Sequence, residues 1–86
     1  MIYSEMTNLL HNTLCTFNTN HPNLTIFYDN DARRQQFVVH VMVNFDYTYA
    51  YILTYEQVQA LNNKLYDYCL EMHNEYSKRR NENDKI

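Results

Sequence analysis

Apolar residues along this chain recur first at intervals of three and four, then at every second position, then at three and four again. Each change of period marks a change of secondary structure, because a helix repeats about every 3.6 residues and a strand every second residue. In "SEMTNLLHNTLCTF", Met6, Leu9, Leu10, Thr13 and Phe17 share one helical face. Ser4 stands where an N-cap would, and Glu5 falls in the first turn, where the helix dipole favours a negative charge. "NTNHPN" (18–23) ends the pattern, since proline disfavours the α region for the residue before it, His21. A first helix over 4–17 is predicted.

"LTIFYD" (24–29) is rich in β-branched and aromatic residues and reads as a strand, followed by the polar "NDARRQQ". "FVVHVMVNF" (37–45) alternates clearly. Phe37, Val39, Val41, Val43 and Phe45 share one face, and Val38, His40, Met42 and Asn44 the other. After a short turn at Asn44 to Tyr47, "YTYAYILT" returns as a third strand, forming a hairpin with the second. "TYEQ" (54–57) has capping-box form, Thr54 accepting from the Gln57 amide while Gln57 reaches back. Beyond it Val58, Leu61, Leu65, Cys69, Met72 and Tyr76 recur at helical spacing, predicting one long helix. The fold class expected is α+β, ordered α-β-β-β-α. Its three-stranded antiparallel sheet carries the N-terminal and the long C-terminal helix on one face. Residues 1–77 form the single domain, and "SKRRNENDKI" lacks apolar periodicity, so 78–86 reads as a frayed polar tail.

Hairpin register decides where the tyrosines point, because a slip of one residue exchanges the two faces. A two- or four-residue turn sets Met42 opposite Tyr49 and His40 opposite Tyr51. It builds an all-apolar inner face from Phe37, Val39, Val41, Val43, Ala50 and Ile52. A three-residue turn sends the tyrosines inward. The first register leaves phenolic hydroxyls in water and is the one expected here. It presents Tyr47, Tyr49, Tyr51, Met42 and His40 as an uncovered aromatic face, of the kind enriched at protein interfaces.

Composition sharpens this picture. The chain has 86 residues, nine tyrosines and no glycine, so turns needing positive φ are expected to use its asparagines. Net charge is −3, but residues 1–76 hold three basic and eight acidic side chains, a balance of −5 that repels phosphate and argues against direct nucleic-acid binding. No run approaches the ~20 apolar residues of a membrane span. Two cysteines are too few for a disulfide-stapled secreted scaffold, which points to reduced thiols in a cytoplasmic setting.

The remaining constellations are thin. His11 with Cys15 and Cys69 with His73 are each one helical turn apart. Two such pairs would make a zinc set, but helical geometry sets the first pair away from the apolar face. No orienting third group accompanies either pair as a nucleophile, and no phosphate loop is possible without glycine, so no enzyme, metal or cofactor is expected. Asp67, Glu71 and Glu75 form an acidic ridge at i, i+4 spacing, a candidate strip for a basic partner surface.

The element order resembles the double-stranded RNA-binding domain, in which "FVVHV" (37–41) looks like the second strand and "TYEQVQAL" (54–61) stands at the start of the second helix. That family's lysine cluster corresponds here to Tyr55, Glu56 and Gln57, so the resemblance implies the fold without the RNA contact. In size, acidic body and glycine-free composition the chain is also similar to small phage proteins of the anti-CRISPR type. That likeness implies a viral, non-enzymatic inhibitor that binds and masks a host or defence nucleoprotein in the host cytoplasm. Two alternatives stand beside it: RNA stacked on the aromatic sheet face, and a structural homodimer joined through that face.

Overall fold

The computed structural model describes residues 2–45 and 47–84; the side chains of Tyr47 and of residues 80–84 lie outside the description, as do Met1, Asp46, Lys85 and Ile86. Helix α1 spans Tyr3–Asn20, strands β1, β2 and β3 span Leu24–Asp31, Gln36–Val43 and Tyr47–Thr54, and helices α2 and α3 span Tyr55–Leu61 and Leu65–Asp84. The order is α-β-β-β-α with the last helix in two pieces, and the antiparallel sheet runs β1-β2-β3, so both outer strands are edges. The α+β class and the three-stranded antiparallel sheet read from the sequence are those of the structure.

Helix α1 begins one residue before Ser4. Its N-cap is Ile2, without a side-chain bond, and the Ile2 carbonyl accepts from the amides of Glu5 and Met6 at 3.1 Å each. It buries Met6, Leu10, Leu14 and Phe17, a straighter stripe than the one predicted, with Leu9 half-covered. Past Phe17 the helix continues to Asn20, where the Asn18 amide group turns back to the Leu24 carbonyl and ties the helix end to β1.

The predicted capping box is present. The Gln57 amide donates to Thr54 Oγ1 at 3.0 Å, and the Thr54 amide donates to Gln57 Oε1 at 2.9 Å. The single long helix is not. Asn62 takes φ 45°, and a 3-10 turn over Asn62–Lys64 separates α2 from α3. Val58, Leu65 and Cys69 are all buried, so the apolar stripe passes through the break without losing phase. The stretch from 78, read as a frayed tail, continues α3 through Asp84.

The hairpin register is the other one. Val43 pairs with Tyr47, Val41 with Tyr49, Val39 with Tyr51 and His40 with Ala50, so the β2–β3 loop has three residues, two of which, Asn44 and Phe45, take positive φ. Tyr49 and Tyr51 therefore face the helices, 8% and 6% exposed, whereas Ile52 is 49% exposed. The expectation that Tyr49 and Tyr51 form an outward face is overturned, and that of an inward Ala50 and Ile52 falls with it. The backbone of Tyr47 follows the same register. The physical reason lies in what accompanies each parity. Inward tyrosines bring Leu53, fully buried, to the core, and α3 offers His73 to Tyr49 and Cys69 to Tyr51 as polar partners.

Positive φ falls at Gln35, Asn44, Phe45 and Asn62. Asparagine takes two of these places as a glycine-free chain requires, but Gln35 and Phe45 carry larger side chains into the left-handed region. One core unites α1, the inner sheet face and the last helix, and its fully buried members include Phe17, Phe37, Leu53, Val58 and Leu65.

Candidate functional site

The two sheet faces offer different chemistry. The covered face holds a seam of aromatic and titratable side chains between β3 and α3. Tyr49 stacks on Tyr76 with ring centroids 4.6 Å apart and planes at 9°, and its hydroxyl is hydrogen-bonded to His73 Nδ1 at 2.6 Å. His73 in turn lies 5.6 Å from the His21 ring and 5.9 Å from Phe17. His21 Nδ1–H donates to the Phe17 carbonyl at 2.9 Å, fixing its tautomer, while the Tyr76 hydroxyl donates to the Ala50 carbonyl of the edge strand at 3.2 Å. Arg79 sits 5.4 Å from the Tyr76 ring centre and pairs with Glu75 at 3.3 Å.

Burial governs the protons here. Tyr51 is held well above the usual phenol range, chiefly by burial and then by its contact with Cys69. The Cys69 thiol is pushed up by the same burial, partly offset by the Tyr51 hydrogen bond. Both stay neutral at physiological pH, and a buried neutral thiol is a poor nucleophile. His73 is lowered, first by burial and then by the neighbouring His21.

Among the described residues nothing covers the other face. The register sends Thr25, Phe27 and Asp29 of β1, Val38, His40 and Met42 of β2, and Thr48, Ala50 and Ile52 of β3 to the side away from the helices. Phe27 is 50% exposed and stacks on His40 with centroids 4.9 Å apart and planes at 15°. His40 Nε2 lies 3.1 Å from Asp29 Oδ2, so the Asp29 carboxylate already has a hydrogen-bond partner within the chain. Phe45, at the hairpin tip, is 83% exposed. Of the predicted contact residues, His40 and Met42 are on this surface, both partly covered. Tyr49 and Tyr51 are beneath α3, and the Tyr47 ring lies outside the described side chains.

Sequence reasoning missed Phe27 and Ile52. The signal for Phe27 was present: Leu24, Ile26 and Tyr28 alternate inward, which leaves Thr25 and Phe27 outward. Ile52 was lost with the hairpin register.

The acidic ridge is where helical spacing places it. Asp67, Glu71 and Glu75 are exposed on α3, bordering with Leu70, Asn74 and Lys78 a surface groove of about 370 Å³. On α1 the exposed pair His11 Nε2 and Cys15 Sγ stand 3.6 Å apart, while Cys69 is buried and His73 half-buried, so the two pairs do not converge. Among the described residues no three His, Cys, Asp or Glu side chains could hold a metal ion, and no helix is long and apolar enough to cross a membrane. Comparison with protein families, with characterised proteins and with solved structures gives no match to this chain.

Proposed function

We propose that this chain is a non-catalytic protein-binding module that acts by covering a surface of its partner through the open face of the sheet. One observation carries this reading: Phe27, Val38, Met42, Ala50 and Ile52 lie together across all three strands with no helix above them. Contiguous apolar surface of this kind usually marks a contact site. Three strands of eight residues make a face of about 14 by 26 Å, less than half of the ~800 Å² that each partner contributes to a standard interface. A flat pairing of two copies therefore falls short. The occupant favoured is a different protein that also engages Phe45 at the hairpin tip.

In keeping with the composition, we place that partner among host or defence nucleoproteins, with the chain as a stoichiometric phage-type inhibitor. The ridge of Asp67, Glu71 and Glu75 would meet basic residues on the same target.

The test is capture from host lysate with the intact chain and with Phe27→Ser/Ile52→Ser, followed by measured affinity for the captured protein. Truncating interface anchors typically costs about 2 kcal/mol or more each. The double variant should therefore bind at least roughly thirtyfold more weakly while its circular dichroism and melting are unchanged. Normal binding by that variant would remove the sheet face from the contact. The Phe27–His40 stack is the feature that favours base stacking instead. Micromolar affinity for single-stranded RNA, falling steeply with salt, would replace this reading with that one. Light scattering over a range of concentrations separates either from a homodimer.

A further inference from the structure

One of the contacts that fasten the distal half of α3 to the sheet joins the Tyr49 hydroxyl to His73 Nδ1. We assign the donor role to the Tyr49 hydroxyl, 2.6 Å from His73 Nδ1, with that nitrogen bare and the ring proton on Nε2. A protonated imidazole carries hydrogen on both nitrogens and can no longer accept, so the hydroxyl would have to turn and accept instead, beside a half-buried charge 5.6 Å from the His21 ring. We infer that α3 is a proton-sensitive strap: with His73 neutral it is latched over β3, and protonation of His73 releases its distal half and uncovers Tyr49.

Geometry on both sides of the latch supports this. Towards the helix start, Leu65 and Cys69 are fully buried, so the proximal turns stay anchored. Beyond His73 the attachments to β3 are polar and aromatic: the Tyr76–Tyr49 stack and the Tyr76 bond to the Ala50 carbonyl.

Among the described residues, the groups facing His73 bring no carboxylate to offset a positive charge. From β3 comes the neutral Tyr49 phenol; from α1 come His21, 5.6 Å away, and the Phe17 ring; from α3 itself come the neutral Cys69 one turn before and Tyr76 almost one turn after. Nearby charge is spoken for, since Glu75 pairs with Arg79. Among the described residues no carboxylate bonds to His73.

The direction with pH follows from where the proton binds better. In the open state His73 titrates near the ordinary imidazole value of about 6.5, and in the closed state burial and His21 hold it lower. The latch is at full strength above about pH 6.5, weakens as pH falls towards the closed-state value and levels off below it, the open population rising about tenfold for each unit between the two.

Site-resolved amide exchange of the full chain, corrected for the intrinsic pH dependence, tests this at about pH 7.5 and 5. Opening of amides 70–79 should rise several-fold in acid, while those of α1 and the β1–β2 hairpin hold. Nitrogen NMR of the imidazoles should show His73 as the Nε2–H tautomer at neutral pH. His73→Gln keeps an acceptor for Tyr49 but cannot titrate, and should abolish the acid step. His40→Gln, on the opposite face, should leave it intact. An acid step that persists in His73→Gln, opening spread evenly along the chain, or an Nδ1–H tautomer at neutral pH would each overturn the strap. If His73→Gln does not fold, the tautomer and the wild-type exchange pattern decide the matter by themselves.

Discussion

Tyr49 and Tyr51 show how one side chain can be either a recognition residue or a core residue, depending on the length of a loop three positions away. Both are amphipathic, and burying the ring is favourable only where the hydroxyl keeps a partner. Tyr49 finds His73 and Tyr51 finds Cys69. Tyr49→Phe keeps the stack on Tyr76 but leaves the half-buried His73 nitrogen without its hydroxyl partner. Urea unfolding at neutral pH should show a loss of about 1 kcal/mol. Tyr51→Ala removes a ring from beneath Tyr68 and Cys69 and should cost about 3–5 kcal/mol, as large-to-small changes in a packed core do. An equal, small effect of both would mean that the rings are in solvent after all. What the sequence withheld was parity: Ala50 and Ile52 make as apolar a face as Tyr49, Tyr51 and Leu53 until the turn is counted, and no glycine marks that turn.

At the scale of elements, the strands and the helix start that follows the sheet were legible because each rests on a local signal. Alternation over Phe37–Val43 gives β2 its inner and outer faces, and Thr54 with Gln57 stops β3 and opens α2. The break at Asn62 was hidden because a 3-10 turn advances the chain without rotating the apolar stripe out of line, so Val58, Leu65 and Cys69 read as one helix. Its only trace is the Asn62–Asn63 pair in a chain without glycine. Asn62 at φ 45° and ψ −113° occupies a region that glycine enters freely and a side chain enters at a cost of order 1–3 kcal/mol. The added freedom that glycine gives the unfolded chain offsets about 0.4–1 kcal/mol of that relief. Asn62→Gly should therefore raise stability by roughly 1 kcal/mol, read as a higher melting temperature with an unchanged spectrum. A lower one would place the hinge outside that conformation.

The whole molecule is one-sided. The core-forming helices and nearly all of the ionisable burial lie on one face of the sheet, and among the described residues nothing covers the other. Stability should accordingly be bounded by pH on the alkaline as well as the acid side, through a different residue. Tyr51 is held above the ordinary phenol value first by burial and then by Cys69, whereas in the unfolded chain it ionises near the usual value of about 10. Above that pH the unfolded chain sheds a proton that the folded one keeps, so stability declines as pH rises and is unaffected below it. The denaturation midpoint should thus be level through neutrality and fall beyond about pH 10. Tyr51→Phe retains the ring against Tyr68 and leaves Cys69, a weak donor, with little to lose, so its neutral stability should change slightly while the alkaline fall becomes shallower. A fall of unchanged steepness in Tyr51→Phe would assign the alkaline limb to other phenols and would require Tyr51 to reach water.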